Sequence, residues 1–405
     1  MTDIDAILAA PAFHAAAEAL RLDHDRYVDE IVMLTEIPAP PFAEDRRAAV
    51  YLEMFRAHGL ADVRLDAIGN VTGIRRGTGN GLGGMVAVAA HLDTVFAHGT
   101  DCTVRREGTR LYAPGVGDDT RGLAAILAYL RALDAAGIET ERDLLFVGDV
   151  GEEGKGDLRG VRHLFTDGEY AGRIDSFFTV DGLSLEKLTT GGVGSLRHRA
   201  TFRGPGGHSL TAFGTVNPAC AMADVITGMN ALPAPREPRT TYCATIFGGG
   251  TSINAIPDEV WMEVDLRSEG APELAALNAG FMALVAQAVA AENARGDTSA
   301  GEITAEVTPI GDRPAGAADP DSQIVRASVA ALQAFGYAAG FERSSTDANI
   351  PMSLGIPAVR LGAGIAGERA HSLDEWIDVA PDPSIRGLTA GLAAILGTAG
   401  MRTDG

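Results

Sequence analysis

Four short stretches of this chain are apolar without alternation: residues 85–90 (MVAVAA), 144–147 (LLFV), 177–180 (FFTV) and 357–361 (PAVRL). Continuous apolar runs of this length predict strands buried on both faces, the pattern of a parallel sheet. Between the first two, residues 120–136 (TRGLAAILAYLRALDAA) place apolar and small side chains at helical spacing, and 324–335 do the same before the fourth. Strand and helix alternating in this way predict an α/β domain: a mixed, mostly parallel sheet with helices on both faces.

Residues 191–312 have a different texture. The segment 195–202 alternates polar and apolar positions, a helical segment comes after Asn217, and 260–266 (VWMEVDL) reads as a strand with acids on one face. A helix over 272–291 and a strand over 303–307 complete the set. Antiparallel strands with two helices predict a small α+β module inserted into the larger domain. The expected domains are therefore 1–190 with 313–405, and 191–312. The loop Gly77-Thr-Gly-Asn-Gly-Leu-Gly-Gly84 precedes a strand instead of succeeding one, so a hairpin turn is expected there and not a phosphate-binding loop.

Composition narrows the function classes. With 46% hydrophobic and 21% charged residues the chain is ordinary globular protein, and its net charge of −21 disfavours nucleic acid or an anionic membrane as partner. Cys102, Cys220 and Cys243 are too scattered for a disulfide framework or a thiolate metal cluster, which makes a reducing, cytoplasmic location the expectation. The N-terminus carries acids before its short apolar stretch and makes a poor signal peptide. The most apolar long segment, 275–291, is interrupted by Asn278 and Gln287 and reads as a packed helix.

The chemistry lies just beyond the end of each apolar run. The first leads into His91-Leu-Asp93, the second through Gly-Asp-Val-Gly to Glu152-Glu153, the third into Asp181, and the fourth to a glycine-rich loop ending at His371. A fifth segment, Gly115-Val-Gly-Asp118-Asp119, precedes the helix at Thr120. In an open parallel sheet the carboxyl ends of the strands form the rim where ligands bind. Singly, these residues read more often as a capped pair, a solvated turn or a helix cap than as metal ligands. Jointly they put charge at successive strand ends, where core packing gives no reason for it. Imidazoles with several carboxylates and no thiolate form the ligand set of hydrolytic zinc, manganese or cobalt. Two histidines and at least three acids suit a pair of ions ~3.5–4 Å apart.

In order and spacing, His91-Leu-Asp93-Thr-Val, Gly117-Asp118-Asp119 with Gly122, Glu152-Glu153-Gly154, Val180-Asp181-Gly182 and Ala370-His371-Ser372 resemble the two-zinc metallopeptidase family of glutamate carboxypeptidase, the aminoacylases and tripeptidase T. The resemblance implies that His91 and Asp181 bind one metal, Glu153 and His371 the other, and Asp118 both. It implies Glu152 as general base, Asp93 as the carboxylate holding His91 through its second ring nitrogen, and a cis peptide at Asp118–Asp119. It reads the inserted module as a lid and dimerisation domain. There Gly207-His208-Ser209 would supply an oxyanion-stabilising histidine, often to a partner subunit, so a homodimer is expected. In the same module Arg267 would fork a substrate carboxylate, with an ion pair to Asp265 or Glu263 as the plain alternative, and Asn254 would bond the same group. Asp347, in Thr346-Asp347-Ala348, is expected on the substrate side or as a helix cap. Thr120 and Arg121 depart from the Lys or Met and Gly of many relatives, and Gly151 from the Asp, Thr or Ser that relatives often have before the Glu pair.

These expectations amount to a metal-dependent hydrolase of short peptides, preferred over an N-acyl-amino-acid amidohydrolase. A catalytically silent binding homologue would show a lost ligand or base, and none is lost. A two-metal phosphoesterase is disfavoured by the acidic charge.

Overall fold

The structure, a computed structural model, describes residues 4–79 and 84–402. The chain divides into two compact units, one of residues 1–192 with 317–405 and the other Val193–Gly316.

The larger unit is built on a mixed, mostly parallel sheet. Its strands run in the order Ala61–Leu65, Val71–Arg75, Asp143–Asp149, Met85–His91, Ile174–Thr179, Ala358–Arg360 and Lys187–Gly192. The four apolar runs sit side by side in the middle of it, each parallel to its neighbour. All residues of Met85–His91 and Asp143–Asp149 are buried, so both faces of these strands are covered. That is why their sequences do not alternate. The helix Thr120–Ala135 packs on the Met85–His91 strand, as does Pro381–Ala399, whose fourteen buried residues make it a core element. Asp45–Ala57 packs on the first two strands. Because the four central strands are parallel, His91, Asp149, Val180 and Leu361 all leave the sheet at one edge.

The glycine-rich segment after Val71–Arg75 is not a hairpin. The strands on either side of it, Val71–Arg75 and Met85–His91, each pair with Asp143–Asp149 and not with one another. Local turn composition was a poor guide because pairing is decided by which apolar strand fills the centre. Residues 80–83 of that segment lie outside the described residues.

The smaller unit holds a four-stranded antiparallel sheet in the order Thr240–Gly249, Glu259–Ser268, Gly194–Arg203, Thr304–Arg313. Helices Pro218–Met229 and Ala271–Arg295 cover one face through Val225, Met229, Leu277, Phe281 and Val285. Asn217 caps the first helix, its side chain accepting from Ala219 N at 3.0 Å. By length and composition Ala271–Arg295 could cross a membrane. Here one of its faces packs on the sheet, and Asn278 bonds His198 Nε2 at 2.8 Å.

Candidate metal centre

His91 is the last residue of its strand, and the chain then turns through Asp93. The Asp118–Asp119 peptide is cis, as the resemblance implies. Asp119 next caps the Thr120–Ala135 helix, its carboxylate accepting from Gly122 N at 3.2 Å and from His91 N at 3.3 Å. Gly122 allows this: a Cβ there would lie 2.0 Å from Val180 O, so the helix start presses directly on the neighbouring strand's end. His371 arrives from the loop after Ala358–Arg360 with φ +65°, a left-handed conformation uncommon outside glycine.

Four of the expected ligands meet. His91 Nε2 lies 2.9 Å from Asp118 Oδ1, and His371 Nε2 lies 3.0 Å from Asp118 Oδ2 and 2.8 Å from Glu153 Oε1. Donor atoms of His91, Asp118 and Glu153 fall within 4.8 Å of one another. Asp118 thus offers one oxygen to each imidazole. Asp181 comes after the Ile174–Thr179 strand at the same sheet edge. No hydrogen bond or ion pair joins its carboxylate to the other four among the described residues, although its charge helps, after burial, to raise the pKa of Asp119.

The donor chemistry fits divalent metal. His91 Nδ1 lies 3.0 Å from the Asp93 carbonyl oxygen, an acceptor, which assigns the ring proton to Nδ1 and leaves Nε2 as a lone pair facing a carboxylate. Two acceptors at 2.9 Å need a cation or a proton between them. Without metal the imidazoles take protons: burial opposes charge on His91, but its bonds to Asp118 and Asp93 hold its pKa well above the ordinary value. His371 is pushed up to about 10 by its bonds to Asp118 and Glu153. Asp118 is correspondingly held low, the two histidines outweighing its burial.

Asp93 does more than was expected of it. Its carboxylate lies 3.7 Å from His91 Nδ1, farther than its own carbonyl, and accepts instead from the amides of Glu152 (3.0 Å) and Glu153 (2.8 Å). It therefore ties the segment carrying both glutamates to the loop after His91. Glu152 and Glu153 are buried, at 6% and 7% exposure.

The three remaining expected residues in the smaller unit have local partners. His208 is exposed on a two-residue strand paired with Ala255–Ile256, its Nδ1 accepting from Leu210 N at 3.2 Å. Asn254 is exposed and accepts from Ser252 Oγ at 2.7 Å. Arg267 Nε lies 2.7 Å from Asp265 Oδ2, the ion-pair alternative of the sequence. Asp347 is not on an open surface: at 1% exposure its carboxyl meets that of Asp149, itself fully buried. Among the described residues, none of these four oxygens has a donor from any other group. Burial and then the facing charge push the Asp347 pKa well up, and burial does the same for Asp149.

Residues 87–397 match the family described as peptidase family M20/M25/M40. The chain belongs to this family. Among its curated relatives, carboxypeptidase G2 of Pseudomonas sp. (strain RS-16) is 28% identical over 203 residues, 49% of this chain and 47% of that protein. The match thus spans about half the length of that relative. Among solved structures, the aminopeptidase PepT of Bacillus cereus superposes with a TM-score of 0.74 at 21% identity, covering 93% of this chain and 99% of that one. A tripeptidase of Staphylococcus aureus gives 0.73 at 22%, covering 93% and 98%. A hydantoinase/carbamoylase family amidase of Burkholderia vietnamiensis gives 0.68 at 20%, covering 93% and 97%. At these identities the likeness is one of fold.

Several residues around the centre of this M20-family chain escaped the sequence reading because they act through the backbone. Glu375, 2% exposed, accepts from the amides of Gly115 (2.7 Å), Gly117 (2.8 Å) and Asp118 (2.9 Å). Burial outweighs these bonds and pushes its pKa up to about 7. Arg47, 1% exposed, donates to Leu92 O at 2.6 Å and twice to Ile37 O, at 2.7 and 3.0 Å. Arg121 donates to Gly182 O at 2.5 Å and Arg360 to Asp181 O at 3.4 Å, so two guanidiniums hold the turn after the third strand. The only sequence signal was at Arg121, a departure from the family pattern.

Proposed function

We propose that this chain is a two-metal amide hydrolase in which His91 and Asp181 hold one divalent ion, Glu153 and His371 the other, and Asp118 both. The observation that carries this reading is Asp118 offering one oxygen to each of two imidazoles. Ions bound there supply Lewis acidity toward the amide carbonyl and lower the pKa of a bound water, zinc being the first candidate and cobalt or manganese the alternatives. Glu152 takes a proton from the attacking water and returns it to the leaving nitrogen. Asp93 holds the amides of both glutamates, which keeps base and ligand in a fixed relation.

The substrate proposed is a short peptide, a di- or tripeptide or a C-terminal residue, in keeping with the tripeptidase and aminopeptidase folds. An N-acyl amino acid is the second reading, favoured by the amidase fold. His208 is proposed as the oxyanion donor, contributed within a homodimer, and Arg267 with Asn254 as the binder of a substrate carboxylate. In that role Arg267 exchanges Asp265 for substrate. Asp347, buried against Asp149, is withdrawn from the substrate-binding set.

The test is a panel of dipeptides, tripeptides and N-acyl amino acids assayed after chelator dialysis and after zinc or cobalt add-back, with Glu152→Gln in parallel. Peptide turnover should vanish on dialysis and return with metal. Glu152→Gln should lose about 10²–10⁴-fold in kcat at unchanged metal content. Turnover of acyl amino acids alone selects the second reading, and metal-independent turnover contradicts both.

A further inference from the structure

We propose that Glu375 is the positioning residue that sets Asp118 between the two imidazoles, by fixing the backbone of the loop from Gly115 to Asp118. The inference rests on the reading of Asp118 as a metal ligand. That loop joins a short strand, Arg110–Tyr112, to the Thr120–Ala135 helix, and its own amides have no ladder to enter. Glu375 takes three of them: Oε2 accepts from Gly115, and Oε1 accepts from both Gly117 and Asp118. The Glu375 carbonyl takes a fourth, Ala113 N, at 3.1 Å. The loop lies close on this carboxylate: a Cβ on Gly117 would lie 2.9 Å from Oε1, and as close to Ile377 Cγ2.

The placement has a consequence for the metal site. Glu375 belongs to the same turn as His371, whose Ser372 N bonds Arg369 O at 3.1 Å and whose Glu375 N bonds Ser372 O at 3.2 Å. One side chain therefore couples the segment bearing His371 to the loop bearing Asp118. With its amide held at 2.9 Å, Asp118 keeps only side-chain torsions as freedom, and both its oxygens reach their imidazoles. The adjacent Asp374 takes no part and pairs with Arg369 at 3.0 Å. A carboxylate is needed because it accepts at both ends. A glutamine has one acceptor oxygen and would turn an NH₂ toward a backbone N–H.

The experiment compares metal-free wild type with Glu375→Gln at a pH near 8, titrating each with Zn(II) against a chelating competitor. Amide exchange across residues 115–118 is tracked by mass spectrometry on the same metal-free samples, and the Co(II)-loaded proteins are compared by visible absorption. The variant should bind zinc about 10- to 100-fold more weakly, exchange faster at 115–118, and show a displaced cobalt spectrum. Its metal-free melting temperature should also fall, because at least one buried amide loses its acceptor. Zinc affinity within about threefold of wild type together with unchanged exchange overturns the proposal. Should Glu375→Gln not fold, Gly117→Ala presses on the same carboxylate and should weaken zinc in the same direction; unchanged affinity there also overturns it. Asp118→Asn separates the two levels of the argument. If that variant binds zinc as wild type does, the ligand assignment fails and this inference with it. If zinc depends on Asp118 but not on Glu375, the inference alone fails.

Discussion

Loading the metal-free protein with zinc at about pH 7.5 should release roughly two protons, because imidazole must be deprotonated to ligate. The number comes from the site. His371 is held near 10 by its bonds to Asp118 and Glu153, and His91 well above its ordinary value because Asp118 and Asp93 overcome its burial. Both rings are therefore cationic in the metal-free state, balancing Asp118 and Glu153. Each proton displaced adds about one tenfold step in affinity per pH unit, so with one imidazole per ion the affinity for each zinc should rise about tenfold, and the product of the two about 100-fold, per unit between about pH 6.5 and 8.5. Calorimetry in buffers of different ionisation heat counts the protons directly, as the slope of observed heat against buffer heat. A count below about one-half, or an affinity flat across that pH range, would show that the imidazoles are neutral before metal arrives.

The buried polar groups give further expected outcomes. Arg47→Met removes the donor to the Leu92 and Ile37 carbonyls and should destabilise the metal-free protein by roughly 1–3 kcal/mol for each carbonyl left bare, read by urea unfolding. A loss under half a kilocalorie would mean water replaces the guanidinium. The Asp149–Asp347 pair has raised carboxyl pKa values, so the folded state holds more protons than the unfolded one and stability falls as pH climbs above the ordinary carboxylate range near 3.8. Asp347→Asn, which donates to Asp149 without a shared proton, should relieve this by about 1.4 kcal/mol for each pH unit over which the extra proton is held. Wild-type and variant unfolding curves measured from pH 4 to 8 should therefore diverge upward, and parallel curves contradict the shared proton. Light scattering tests the homodimer: a fully active monomer removes the partner role of His208.

The legibility of the site in the sequence has a physical basis. Four strands buried on both faces leave an unbroken apolar signature, and a parallel sheet puts the residues after each one at the same edge. His91, Glu153, Asp181 and His371 were therefore legible together, and Asp118 by the acid pair it forms just before the Thr120–Ala135 helix. The strand Thr240–Gly249 was not foreseen, because it lies at a sheet edge with much of its length exposed and carries no continuous apolar run. Glu375 and Arg47 were invisible for another reason. Their work is done on backbone amides and carbonyls, which carry no residue-specific trace, and nothing in Asp374-Glu375 says which acid turns inward. Asp347 was read as a substrate-side residue or a helix cap, and nothing in its local sequence says that a second acid, Asp149, lies against it.

The most direct test of the metal assignment is anomalous diffraction from zinc-loaded crystals. The account requires two peaks flanking the Asp118 carboxylate, one against His91 and Asp181 and the other against Glu153 and His371. A single peak that leaves Asp181 or His371 without metal, or peaks elsewhere in the chain, would contradict it.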